Sequence, residues 1–208
     1  LGGLLGFVFF YQPEYYLANP GQILQVWEGG MSFHGGFIGV IVATIIFTRL
    51  NQIPLLQLAD AVAVVTPPGL LLGRLANFIN GELWGRTTDV PWAMVFPGAG
   101  PLPRHPSQLY EAALEGLLLL ILMWALALKW GWLKRPGMLT GLFFIGYGAA
   151  RAFVENFREA DPQYITEANP MGHVIRLGAE TGLTMGQTLS LPMIAIGLGF
   201  WAISRRRR

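Results

Sequence analysis

The 208 residues contain no cysteine. They therefore supply no thiol nucleophile, no thiolate metal ligand and no disulfide. Charge is scarce as well: Asp, Glu, Lys and Arg make up 12% of the chain, against about 25% in soluble domains. A net charge of +2 gives no reason to expect a nucleic-acid partner. His34, His105 and His173 are scattered, without the paired spacing of a zinc helix, so no metal site is expected. No Ser stands in a G-x-S-x-G context and no phosphate-binding P-loop occurs. Internal repeats, low-complexity tracts and linkers are lacking. No basic n-region opens the chain, so a signal peptide is not expected. Leu1 begins inside an apolar run, which reads as a fragment whose start has been lost.

What is present is hydrophobic. The apolar fraction is 53% and the mean hydropathy is +0.46. These values predict an all-α, polytopic transmembrane bundle, a single integral-membrane domain over 1–208. Residues 1–11 are too short to span alone and read as the end of a helix begun upstream. Residues 12–30 are a loop. Complete spans are predicted over 31–50, 55–78, 107–130, 137–157 and 187–204, giving about five plus the partial one. Pro67-Pro68 should kink or break the second of these. Ser107 is a candidate N-cap. Polar segments at 81–106 and 158–186 complete the chain, the first as a small extracytoplasmic cap.

The Lys and Arg distribution predicts orientation. Alternating spans place Arg49, Lys129, Lys134, Arg135 and Arg205 to Arg208 on one side, eight of the fourteen basic residues. That side, with the C-terminus, should be cytoplasmic. Arg86, Arg104, Arg158 and Arg176 fall outside.

Four polar constellations stand out. In Gly73-Arg74-Leu75-Ala76-Asn77-Phe78-Ile79-Asn80-Gly81-Glu82-Leu83-Trp84-Gly85, polar residues end an apolar helix. Arg at mid-bilayer costs about 2.5–3.5 kcal/mol on insertion scales. Arg74, Asn77 and Phe78 share a helix face. The run is either a snorkelling anchor or an inward polar wall. Tyr147, Arg151, Glu155 and Arg158 form a second stripe, readable as a self-neutralising i,i+4 pair or as a ligand site. Glu155 fits both readings, as the residue that orients Arg151. His34-Gly35-Gly36, with Gly39, combines an ionisable ring with a small-xxx-small surface. His34 is a base, a headgroup-binding residue or a hydrogen-bonded interfacial residue. Arg104-His105-Pro106-Ser107-Gln108-Leu109-Tyr110-Glu111, with Glu115 beyond it, serves capping or function. Asp60 and the basic tail read as structural or topological.

Two arginines on different spans, both near the outer leaflet, point to an anionic ligand at headgroup depth. A phospholipid phosphate suits the fork of guanidinium donors. A transporter for a small anion needs similar residues. A purely structural subunit is the third class.

The Gly73–Gly85 pattern resembles the signature of the prolipoprotein diacylglyceryl transferase family. His34-Gly35-Gly36, the Arg104 to Glu111 run and Tyr147 to Glu155 extend the resemblance over essentially the whole chain. The family has a further N-terminal helix and the first part of the next, which this sequence lacks. The resemblance implies a bacterial inner-membrane enzyme. Its substrates would be phosphatidylglycerol and the lipobox peptide of a prolipoprotein, with membrane lipids as its other partners. The diacylglyceryl group moves to the lipobox cysteine, a thioether forms and glycerol phosphate leaves. The nucleophilic thiol comes from the substrate, and no cofactor is implied.

Such a displacement needs a deprotonated thiol and a stabilised leaving phosphate. Arg74 and Arg151 are expected to hold the phosphate, with Asn77 and Asn80 adding hydrogen bonds. Glu155 would position Arg151. Glu82 would fix the signature loop or orient the glycerol headgroup. His34 is the candidate base, Tyr147 a nearby hydrogen-bonding group, and His105 a rival base or headgroup ligand. A positive site that lowers the thiol pKa is the alternative to a dedicated base.

Overall fold

The computed structural model describes residues 33–160, 164–166, 169–178 and 181–206, the side chains at 33–35 and 37 excepted. The partial helix expected at 1–11 and the loop at 12–30 lie outside these residues, as does the side chain of His34. The chain divides into two compact units, Leu1–Leu58 and Ala59–Arg208.

In the first unit, α1 runs over Phe33–Leu50. Thr48 Oγ1 donates to the carbonyls of Thr44 and Ile45, each at 2.9 Å, satisfying the hydroxyl inside an apolar helix. Gln52 takes a left-handed turn at φ 54°. Pro54 then opens α2, Leu55–Asn80, and its carbonyl accepts the Gln57 N–H at 3.0 Å. The division between the units falls within the first turn of α2.

The second unit is built from the rest of α2 and three further helices. They are α3 over Ser107–Lys129, α4 over Met138–Val154 and α5 over Met185–Arg206. A short antiparallel pair, β1 (Ile175–Arg176) and β2 (Gly182–Leu183), lies between α4 and α5. The all-α expectation thus holds for the bulk of the fold and misses this pair. Among the described residues, α2, α3 and α5 are long and apolar enough to cross a membrane. Their outward residues include Val65, Leu72, Ile121, Ile196 and Ile203, all exposed. That arrangement suits lipid, where apolar groups need no burial.

Of the kink or break expected at Pro67-Pro68, there is no break: α2 is continuous from Leu55 to Asn80. A helical proline leaves the carbonyl four residues back without its N–H. For Pro68 that carbonyl belongs to Val64, and the Trp124 indole of α3 donates to it at 3.1 Å. Thr66 Oγ1 donates to Val62 O at 2.7 Å, adding a further bond to the same turn. The Ser107 cap is also corrected. Pro106 is the N-cap residue, and Ser107, already helical, sends its hydroxyl to Leu83 O at 3.2 Å.

Two devices fix α4. Asp60 of α2 is fully buried. It accepts the Gly137 N–H at 2.8 Å, the Thr140 N–H at 2.7 Å and the Thr140 hydroxyl at 2.6 Å. A carboxylate from another helix thereby caps the N-terminus of α4, meeting its orphan donors and its dipole. Along α5, Gly141 and Gly197 bring backbones together: a Cβ on Gly141 would lie 2.7 Å from Gly197 O, and one on Gly197 2.6 Å from Gly141 O. Ala63, Leu119, Met123, Ala127 and Leu139 form the apolar core of α2, α3 and α4.

Candidate functional site

A fully buried carboxylate stands at the centre. Glu111, on the first turn of α3, has no exposed surface. Its Oε1 accepts from Arg151 Nη1 and from Arg158 Nη1, each at 2.6 Å. Arg74 Nη1 of α2 lies 3.4 Å from its Oε2. Arg74 Nη2 is 3.5 Å from Glu115 Oε2, one helical turn deeper and equally buried. Glu155 closes the group, with Oε2 2.9 Å from Arg151 Nη2 and 3.5 Å from Arg158 Nε. Three guanidiniums thus face three carboxylates, and the set is neutral when all are ionised.

Local structure places these groups. Arg74 sits six residues before the end of α2, turned toward α3. Residues 112–118 of α3 form a wide π turn, a feature frequent at functional sites. Arg151 and Glu155 are one turn apart at the end of α4. Glu155 Oε1 also accepts from the Thr184 hydroxyl at 3.1 Å, just before α5. A Cβ on Gly186 would lie 2.5 Å from the Glu155 carboxylate, so the first turn of α5 packs directly on it.

The six groups are not equivalently bonded. Glu111 Oε2 and both oxygens of Glu115 are buried without a hydrogen-bond partner among the described residues. Arg74 is therefore surrounded by negative charge while its N–H groups remain unspent on these carboxylates. Arg151 is anchored from two sides, by Glu111 and Glu155. The side chains of Arg74, Arg151 and Arg158 keep 18%, 18% and 14% of their surface, so each still reaches outward from the buried carboxylates. Burial lowers the Arg158 pKa, and the charge and hydrogen bond of Glu111 more than reverse it, so the net direction is upward.

The structure brings together Arg74, Arg151 and Glu155 from the expected set. Tyr147, one turn before Arg151, stacks on Phe143 with centroids 5.9 Å apart. Asn77 holds the end of α2, its carbonyl accepting the Glu82 N–H at 3.0 Å. Asn80 Nδ2 donates to Glu82 Oε1 at 3.2 Å in an exposed pair, outside the charged group. The Glu82 carbonyl receives Gln108 Nε2 at 2.6 Å, tying the signature to α3. At the signature's end, a Cβ on Gly85 would sit 2.5 Å from Phe157 O and 2.7 Å from His105 O. Gly85 is therefore the residue that lets two backbones converge there.

Glu111, Glu115 and Arg158 join the charged group; sequence reasoning noticed them without assigning them a role. The available signal was two glutamates at i and i+4 at the start of a leucine-rich span, where a charge needs a partner.

The Trp92 indole donates to the Tyr110 hydroxyl at 2.7 Å, and that hydroxyl lies 3.1 Å from His105 Nδ1. Burial lowers the His105 pKa from its ordinary value, which favours the neutral ring.

Comparison with known proteins gives the family. The family model of prolipoprotein diacylglyceryl transferase matches residues 1–203. The chain belongs to the prolipoprotein diacylglyceryl transferase family. It is 57% identical over 216 residues to the phosphatidylglycerol–prolipoprotein diacylglyceryl transferase of Ruegeria pomeroyi, covering 100% of this chain and 72% of the relative. The protein of the same name in Roseobacter denitrificans is 56% identical with the same coverage. That of Methylocella silvestris is 55% identical over 207 residues, 100% of this chain and 71% of the relative. Family membership and the three long apolar helices make this a multi-pass membrane protein.

Proposed function

We propose that this chain transfers the diacylglyceryl group of phosphatidylglycerol to the cysteine thiol of a prolipoprotein lipobox. The relatives carry this activity in their names. One observation carries the site assignment: Arg74 and Arg151, from different helices, converge on the same buried glutamate. Neutralising carboxylates make buried guanidiniums tolerable in a membrane setting. Their remaining donors then suit a phosphate diester.

In the proposed reaction the thiolate sulfur attacks the glycerol carbon that bears the phosphate. The C–S bond forms, the C–O bond breaks, and glycerol phosphate leaves with the bonding pair. Arg74 offers its unspent N–H groups to the phosphate as charge grows on it. Arg151 adds a second guanidinium, aligned by Glu111 and Glu155. Asn77 and Asn80 line the headgroup approach, Glu82 orients the glycerol, and Tyr147 donates a hydrogen bond. His105 offers a hydrogen bond to the headgroup. His34 takes the thiol proton, a role resting on the His34-Gly35-Gly36 resemblance and on the near-neutral pKa of imidazole.

The same reading assigns about five spans plus a partial one, with 81–106 as an extracytoplasmic cap. The basic ends lie in the cytoplasm and the charged group sits near the outer leaflet of the bacterial inner membrane. The test is incubation of the protein in phosphatidylglycerol vesicles with a cysteine-containing lipobox peptide, followed by mass spectrometry. A diacylglyceryl mass gain on cysteine is expected. An unmodified peptide, with phosphatidylglycerol intact, overturns the reading.

A further inference from the structure

A cavity of about 450 Å3 lies beside the charged group, within the second unit. Leu83, Trp84, Ala99 and Ile165 supply apolar walls. Arg158 lines it too, and the same guanidinium donates to Glu111. The cavity therefore adjoins the proposed phosphate site through one side chain. Arg104, paired with Glu159, forms another polar edge, and its buried Nε has no hydrogen-bond partner among the described residues.

Backbone strain points to the same place. Leu83 is left-handed, at φ 56°. A branched residue there costs about 1–3 kcal/mol and persists where its surroundings fix it. Those surroundings are visible: Ser107 Oγ holds the Leu83 carbonyl and Gln108 Nε2 the Glu82 carbonyl. A glycine would relieve the strain, yet the sequence has a leucine, 48% exposed. An exposed apolar side chain kept in a strained conformation at a cavity wall is what a ligand-contacting residue requires.

We infer that this cavity receives the apolar residues flanking the acceptor cysteine of the prolipoprotein, and so sets peptide specificity. The inference rests on the proposed transfer reaction. The thiol must reach the carbon next to the phosphate, so the peptide around it must lie against Arg158. A compact recess with apolar walls and a polar edge fits one or two side chains plus their backbone. An acyl chain of the lipid needs a long apolar channel, and the Arg104–Glu159 pair interrupts one.

The test uses the full chain in vesicles, varying phosphatidylglycerol and a lipobox peptide separately. Leu83→Gly removes the apolar wall and relaxes the backbone, so its melting temperature should match the wild type. Its KM for peptide should rise about tenfold, the scale of losing apolar contacts in a pocket, with KM for phosphatidylglycerol unchanged. A rise in the lipid KM alone would assign the cavity to an acyl chain and overturn the inference. Unchanged values for both overturn it as well. A second measurement uses the unaltered protein and a peptide with serine for cysteine and a photoreactive apolar residue beside it. Crosslinks are expected at Leu83, Trp84, Gly98, Ala99, Ala160 and Ile165. Crosslinks confined to other segments contradict the inference even if the variant misfolds. Wild-type protein that crosslinks there without transferring lipid refutes the transfer reaction and leaves the peptide site standing.

Discussion

Arg151 and Arg158 place their Nη1 atoms on the same oxygen of Glu111, each at 2.6 Å. One carboxylate thereby fixes two guanidiniums from the end of α4 and the segment after it. Removing one partner of such a buried set leaves uncompensated charge, at a cost of about 3–5 kcal/mol. Glu111→Gln keeps the shape and one acceptor but loses the charge. We predict a fall in melting temperature together with loss of lipid transfer, measured by thermal unfolding in detergent and by the vesicle assay. Wild-type melting would contradict the role of Glu111 as the central counter-charge.

Arg74 differs from Arg151 in being surrounded by carboxylates at 3.4 and 3.5 Å without being hydrogen-bonded to them. Its loss should therefore be felt more in the reaction than in the fold. Arg74→Lys retains the charge but not the fork of donors. Transfer should fall about 100-fold, the scale of removing an anion-stabilising donor, with a melting temperature near that of the wild type. Comparing rate and melting in one preparation checks both halves.

Asp60 supplies the N-terminal cap of α4 from a different helix. Asp60→Ala should destabilise the protein by about 1–2 kcal/mol, the upper part of the range for lost caps. Denaturation of the purified variant measures this. Trp124→Phe tests the neighbouring device, because it strips the Val64 carbonyl of its donor where no water replaces it. That loss should cost about 1–3 kcal/mol.

How much of this was legible in the sequence differs from residue to residue. Composition and long apolar runs located the helices within a few residues, since hydrophobic length alone sets a span. Arg74 and Arg151 were legible because a charge in an apolar segment is expensive. That both converge on Glu111 was not, since it depends on how α2, α3 and α4 pack. Pro67-Pro68 reads as a kink or a break, and α2 runs through the pair unbroken; the compensating donor is Trp124, 56 positions from Pro68, and no local rule finds it. The Leu83 turn was likewise invisible, being held by Ser107 and Gln108 from a distant segment.

His105 gives a pH dependence with a definite sign. Burial lowers its folded-state pKa below the unfolded value of about 6.5. As pH falls below that value the unfolded chain takes up a proton that the folded chain resists. The stability contribution is thus fully present above the unfolded pKa and is lost as pH falls toward the folded one. His105→Gln should flatten this part of the stability–pH curve, as followed by melting temperature. An unchanged slope would show that His105 is not the group responsible.

The central claim is that guanidiniums held by buried glutamates carry the phosphate of phosphatidylglycerol during transfer to a cysteine thiol. Its most direct test is the initial transfer rate of wild type and Arg151→Lys, side by side in the same phosphatidylglycerol vesicles, with glycerol phosphate release counted against peptide modification. The account predicts matched release and modification in the wild type, and a loss of about 100-fold or more in the variant. Transfer by Arg151→Lys at the wild-type rate would contradict it.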